Sequence, residues 1–156
     1  MSWRGPPPVR SFTEAPPPLV AAAAECGDTG ALRDLLSGDD AKAHLDDFGE
    51  RGYTPLLTAA LWGQHESVMM LLAARADCQR TDNSGRSPLF TACYQGNSTC
   101  VEMLLETGVS PSAQNKYMQS PLHIAARLGA SAELVEQLLR HKADLTLQDE
   151  RGQTAQ

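Results

Sequence analysis

The chain has 156 residues and a formal net charge of −6, with 42% hydrophobic residues but only 5% aromatic ones. The negative charge argues against non-specific binding to nucleic acid or to an anionic membrane surface. No apolar run approaches the roughly 18 residues that a membrane-spanning helix needs, and the length suits a single domain. We therefore expect one domain, with neither nucleic acid nor a membrane as its partner.

The first 18 residues hold six of the ten prolines, in two Pro-Pro-Pro triplets. Such a composition predicts a disordered, extended polyproline II tail. Pro8-Val9-Arg10 suggests a ligand for an SH3-type domain, but Gly5 stands where that kind of ligand has its first proline. We prefer the interpretation of a simple spacer.

Residues 19–53 predict an N-terminal capping unit of two short helices. The apolar run from Leu19 to Ala24 and the leucines that follow at helical spacing indicate those helices. The next loop carries five carboxylates: Asp39, Asp40, Asp46, Asp47 and Glu50. Their spacing does not match a calcium-binding loop, so we expect a solvated acidic loop and no metal.

A seven-residue pattern then recurs through the chain. Thr54-Pro55-Leu56-Leu57-Thr58-Ala59-Ala60 returns as Ser87-Pro88-Leu89-Phe90-Thr91-Ala92-Cys93 and as Ser120-Pro121-Leu122-His123-Ile124-Ala125-Ala126, and its first residue recurs at Thr154. The intervals are 33, 33 and 34 residues. A fixed period of that length indicates one structural unit copied in tandem, whose copies bury their apolar faces against their neighbours.

Each copy predicts a first helix of about two turns and then a second helix. The hydroxyl of Thr54, Ser87 or Ser120 suits the N-cap, and the proline that follows suits the first helical position. A glycine nine residues after each hydroxyl suits a left-handed helix end. Apolar residues at helical spacing then predict the second helix in every copy.

The pattern resembles the ankyrin repeat, which runs roughly Asp-x-x-Gly-x-Thr-Pro-Leu-His-x-Ala-Ala. The resemblance covers nearly everything after the tail. It implies an all-α, ankyrin-type helical solenoid with projecting β-turn or hairpin loops. Leu57 and Phe90 replace the histidine of the motif, which only His123 keeps. We expect His123 to connect adjacent turns and not to act as a catalytic base.

Three residues with a side chain stand where the repeat has glycine: Arg75, Met118 and Lys142. We expect a left-handed backbone at each of them, at a cost of about 1–2 kcal/mol per residue. The basic residues recover part of that cost at the negative end of a helix, whereas Met118 does not.

The predicted domain organisation follows from the repeat. A tail at 1–18 precedes an ankyrin domain at 19–156, which divides into a capping unit at 19–53, full repeats at 54–86, 87–119 and 120–153, and the start of another repeat at 154–156. With no full unit after the last second helix, we expect Leu134 and Leu138 to lack part of their cover. We interpret the chain as a short form or piece of a longer ankyrin protein, or as a small adaptor that its partner completes.

No motif in the chain predicts catalysis, a cofactor or a metal site. Cys93 and Cys100 fall at core positions of the repeat, Cys78 takes an apolar place in a turn, and only Cys26 is expected to be exposed. Because no paired C-x-x-C spacing occurs, we expect reduced thiols and an intracellular protein of the cytoplasm or nucleus.

The resemblance implies a binding surface, here called the concave face, made of the turn tips and the exposed ends of the first helices. All three tyrosines and one of the two tryptophans fall on it, and Tyr, Trp and Arg carry most binding energy in protein interfaces. The partner-binding residues that we predict are Arg51, Tyr53, Leu61, Trp62, Arg86, Tyr94, Gln95, Lys116, Tyr117, Arg127, Leu128 and Arg151.

Basic residues outnumber acidic ones on this face, so we expect an acidic or phosphorylated protein segment as the partner. The sequence thus predicts a monomeric, non-catalytic adaptor or scaffold. The resemblance leaves two alternatives, a substrate-recognition arm of a ubiquitin ligase and a kinase-inhibitor-like protein. Nucleic acid is the rival from another class, but the acidic total and the lack of a basic run disfavour it.

Overall fold

The computed structural model describes residues 19–38, 44–49 and 52–155. The tail at 1–18, part of the acidic loop, Arg51 from the predicted binding set and Gln156 lie outside these ranges. The described part contains eight α-helices and no strand: α1 (Leu19–Cys26), α2 (Thr29–Ser37), α3 (Pro55–Trp62), α4 (His65–Ala73), α5 (Pro88–Gln95), α6 (Ser98–Glu106), α7 (Pro121–Leu128) and α8 (Ala132–Arg140). None of these helices is long and apolar enough to cross a membrane.

The helices form two layers. The inner helices α1, α3, α5 and α7 pack side by side in chain order, and the outer helices α2, α4, α6 and α8 form a second row. Each outer helix also packs on the inner helix of its own unit. The all-α solenoid that the repeat predicts is therefore confirmed.

The local signals of the repeat act as expected. The hydroxyls of Thr54, Ser87 and Ser120 each accept a hydrogen bond from the backbone N–H three residues further on, at 3.2–3.4 Å. The glycines that end α3, α5 and α7 have φ angles between 63° and 72°. Such caps satisfy backbone groups that would otherwise lose a hydrogen bond at the helix ends.

The three residues that replace a glycine of the repeat also adopt the left-handed conformation, as predicted. The φ angles are 68° at Arg75, 56° at Met118 and 65° at Lys142. At each of these sites the repeat geometry prevails over the local preference of the residue.

The prediction for the last repeat is wrong in its detail. Leu134 and Leu138 are fully buried, because α8 packs on both α6 and α7 and these side chains join the common core. The exposed residue is instead Leu139, at 40%, whereas Leu105 at the same place in α6 is only 2% exposed. The solvent-exposed position on α8 is thus Leu139 and not Leu138, the residue before it.

All four cysteines are free thiols, with Cys93 and Cys100 buried, Cys78 half-buried and Cys26 exposed. Burial raises the pKa of Cys93 far above the ordinary thiol value. Burial, with a smaller contribution from Glu66, raises the pKa of Cys100 to about 11. Two of the thiols are therefore inert core groups at neutral pH.

A candidate binding cleft on the concave face

One side-chain oxygen shapes each projecting turn. Oδ1 of Asp82 accepts hydrogen bonds from the backbone N–H groups of Ser84 and Arg86 at 2.8 and 2.9 Å. Asn115 and Asp149 make the same pair of contacts in the turns 115–119 and 149–153, at 2.9–3.0 Å. Such a bond from a side chain to its own turn fixes the backbone. The side chains at the turn tips therefore project from defined positions.

Backbone hydrogen bonds also connect successive turn tips. The N–H of Lys116 donates to the carbonyl of Ser84 at 3.0 Å, and the N–H of Glu150 donates to the carbonyl of Tyr117 at 3.2 Å. These bonds join the turns 82–86, 115–119 and 149–153 into one rim.

His123 adds a further connection, as its place in the repeat predicts. The N–H of Ser120 donates to Nδ1 of His123, so the ring carries its proton on Nε2 and donates it to the carbonyl of Gln153 at 3.0 Å. Leu57 and Phe90, at the same position in the earlier repeats, have no group that can make this bond. The chain therefore replaces a polar contact by apolar surface beneath two of its turns.

A cleft of about 430 Å³ opens between these three turns and the inner helices α5 and α7. Five of the predicted binding residues line it together: Arg86, Tyr94, Tyr117, Arg127 and Arg151. They come from two helices and three turns, and the regular stacking of the repeats brings them to one place. The cleft is therefore the part of the concave face where aromatic and cationic side chains converge.

Arg86 already has partners within the chain. Its Nε donates to Oδ2 of Asp82 at 2.7 Å, its Nη2 lies 2.6 Å from the same oxygen and also donates to the Tyr53 hydroxyl at 2.7 Å. Burial alone would lower the pKa of Arg86, but the bond to Asp82 and the interactions with Tyr53 raise it above its ordinary value. Because the side chain of Asp82 is almost fully buried, this pair is part of the scaffold, and it reduces the positive surplus that we expected on this face.

Arg127 and Arg151 differ from Arg86 in this respect. Within residues 19–38, 44–49 and 52–155, neither guanidinium forms an ion pair with a carboxylate. Tyr94 and Tyr117 beside them are 37% and 50% exposed. These four side chains are accessible and are able to hold an anionic group against an aromatic surface.

The other predicted residues that the structure describes do not line the cleft. Trp62 and Leu128 are 44% and 48% exposed and Lys116 is exposed, whereas Leu61 and Gln95 are half-buried. Their role in binding remains a prediction. The lining also contains seven residues outside the predicted set: Ser84, Phe90, Asn115, Gln119, Asp149, Glu150 and Gln153. For Phe90, the replacement of the motif's histidine is the sequence signal that could have identified it.

The carboxylate of Asp149 in the cleft lining has a structural role. Asp149 accepts hydrogen bonds from its own turn, and the bond from the N–H of Gln153 is the main reason why its pKa is lowered. Across the part of the chain that the structure describes, no cluster of His, Cys, Asp and Glu side chains has the arrangement of a metal site.

Comparison with known protein families gives a consistent result along the whole described domain. Residues 19–115 match a family model described as ankyrin repeats in three copies, and residues 104–155 match a second model, described as ankyrin repeats in many copies. No curated protein matches the chain at a significant level.

Proposed function

The chain belongs to the ankyrin-repeat family, and on that premise we propose that it is a non-catalytic adaptor that binds a partner protein through the concave face. Its repeats form a protein–protein interaction module. The observation that supports the finer proposal is the convergence of Tyr94, Tyr117, Arg127 and Arg151 in one cleft. Residues of these types dominate the binding energy of protein interfaces.

The charge of the accessible groups favours an acidic or phosphorylated segment as the partner. Asp82 is engaged by Arg86 and by its own turn, and Asp149 is engaged by its turn. Arg127 and Arg151 are the groups that a partner meets without having to break an existing ion pair. Complementary charge speeds the encounter and selects among partners.

We also propose an intracellular location, in the cytoplasm or the nucleus. The support comes from the cysteines, since all four are free thiols. Disulfides are rare where thiols are kept reduced, as they are inside the cell.

Partner capture from cells tests the proposal. A variant with Tyr94→Ala and Tyr117→Ala should lose a protein that the wild type captures, and its affinity for that purified protein should fall by about 2 kcal/mol or more. A matched control carries Met69→Ala and Leu139→Ala, which remove side chains of similar exposure, 54% and 40%, from the outer layer. If all three proteins capture the same partners with the same affinity, the cleft is not the binding site.

A further inference from the structure

The cleft has an aromatic lining that the repeat pattern does not supply. Phe90 and Tyr94 are four residues apart on α5, so they lie on the same face of that helix. Both line the cleft, Tyr94 with a side chain that is 37% exposed and Phe90 from the core beneath it at 2%, and Tyr117 faces the cleft from the turn 115–119. Leu57 and Leu61 occupy the places of Phe90 and Tyr94 in the preceding repeat, so this aromatic surface exists at one level of the solenoid.

The same cleft contains accessible cations beside the carboxylates of Asp149 and Glu150. Arg127 and Arg151 line it with no ion pair among the described residues, and Glu150 lines it as well. These carboxylates reduce the positive charge of the cleft, and Arg151 already attracts the carboxylate of Asp149. A phosphate carries about −1.5 to −2 charges and three acceptor oxygens, so it gains more from two guanidinium groups than a carboxylate does.

The size of the space suits one large side chain. The cleft holds about 430 Å³, within the range of roughly 300–1,000 Å³ that is usual for pockets that bind small molecules. The hydrogen bonds between the turn tips, from Lys116 to Ser84 and from Glu150 to Tyr117, hold its rim in place before a ligand arrives. A preformed site loses less entropy on binding.

We infer that this cleft binds a phosphorylated tyrosine of the partner protein. The ring of the ligand packs against Tyr94 and Tyr117, and its phosphate accepts hydrogen bonds from Arg127 and Arg151. The inference rests on the proposed function, since it names the group that the adaptor recognises. It explains why the accessible rings of Tyr94 and Tyr117 line the same cleft as the guanidinium groups of Arg127 and Arg151.

The repeats of the chain themselves supply substitutions that the fold accommodates. Leu61 stands at the place of Arg127, and Ser84 stands at the place of Arg151. Arg127→Leu with Arg151→Ser therefore removes both cations and introduces residues that the equivalent positions of an earlier repeat already hold. Tyr94→Leu, which copies Leu61, removes an accessible aromatic ring in the same way. Arg140→Leu is the control, because it removes an exposed cation from the outer helix α8.

The experiment measures binding of the full chain to fluorescent nine-residue peptide pools by polarisation. The pools share randomised flanks and differ in a fixed central residue, which is phosphotyrosine, tyrosine, phosphoserine or glutamate. We expect the phosphotyrosine pool to bind at least ten-fold more tightly than each of the other three pools. Phenyl phosphate should displace it at concentrations at which inorganic phosphate does not.

Binding of the same pools to the variants tests which residues are responsible. Arg127→Leu with Arg151→Ser should abolish the preference for phosphotyrosine over tyrosine, Tyr94→Leu should reduce the preference over phosphoserine, and Arg140→Leu should change neither. Equal binding of the four pools, or a preference that survives the loss of both arginines, would overturn the inference. If that happens while Tyr94→Ala with Tyr117→Ala still loses the cellular partner, the adaptor function stands without phosphotyrosine recognition.

Discussion

Nη2 of Arg86 donates a hydrogen bond to the hydroxyl of Tyr53 at 2.7 Å, and the guanidinium also lies 5.9 Å from the centre of the tyrosine ring. The two residues are 33 positions apart and occupy the same place in successive turns. Arg86 therefore connects the turn 82–86 to the tyrosine of the preceding turn. Both residues thus stabilise the structure of the concave face in the absence of a partner.

Replacement of Arg86 by glutamine, the residue at the same place in the next two turns, should destabilise the fold by about 1–2 kcal/mol. The buried carboxylate of Asp82 would lose its cation but keep its two backbone hydrogen bonds, so the loss should be smaller than that of a fully isolated buried charge. Urea unfolding measures the change. Arg140→Gln is the control, since its 3.2 Å pair with Glu136 is exposed and should contribute little. Equal effects of the two substitutions would contradict a structural role for Arg86.

Asp149 should make stability sensitive to acid. The backbone hydrogen bond from Gln153 is the first cause of its lowered pKa, so the ionised form stabilises the folded chain. A lowered pKa in the folded state gives stabilisation that is complete above the unfolded pKa of about 3.9 and is lost as the pH falls through the lower folded value. Asp149→Asn copies Asn115, which makes the same bonds in the preceding turn.

Urea midpoints for the wild type and for Asp149→Asn, measured between about pH 7 and pH 2.5, test this. The difference between the two proteins should stay constant down to about pH 5 and then shift in favour of the asparagine variant. Parallel curves over the whole range would show that Asp149 has no such role.

Met118→Gly should stabilise the chain by a few tenths to about 1 kcal/mol. The φ angle of 56° at Met118 strains a residue with a Cβ atom, and glycine removes that strain, although it adds entropy to the unfolded chain. Thermal unfolding measures the gain. Met118→Ala keeps the Cβ atom and should bring no benefit, so a similar rise in both variants would show that backbone strain is not the cause.

The equivalent leucines of the last two repeats should differ in their energetic weight. Leu105→Ala removes a side chain that is 2% exposed and should cost about 2–5 kcal/mol. Leu139→Ala removes one that is 40% exposed and should cost clearly less, because part of that side chain already contacts water. Chemical denaturation of both variants decides the comparison, and equal losses would show that Leu139 is covered in solution.

Thiol chemistry offers an independent check of the core. A thiol reagent at neutral pH should modify Cys26 quickly and Cys78 more slowly, and should reach Cys93 and Cys100 only after unfolding. Cys26→Ser should remove the fast phase. Rapid modification of all four thiols in the folded protein would contradict the burial that raises the pKa of Cys93 and Cys100.

The fold could be predicted from the sequence because its signals are local and repeated. Thr54-Pro55 or Ser87-Pro88 starts a helix wherever it occurs, and the fixed period dictates how the copies stack. The cleft could be predicted only in part, because its detailed chemistry depends on contacts between repeats. No pattern along the chain shows that Asp82 neutralises Arg86, since an aspartate at a turn position is equally typical of a capping group.

Residues between 84 and 153 line the cleft, so an occupant touches three consecutive units at once. In a solenoid each unit otherwise gains stability only from its neighbours, and the end units tend to fray. A bound segment would contact three units across the two interfaces between them and would suppress that fraying. The free energy of unfolding would rise by about 2.7 kcal/mol when the free concentration of the segment is 100 times its dissociation constant. Occupancy of the cleft would thereby lengthen the stretch of chain that unfolds as a single cooperative body.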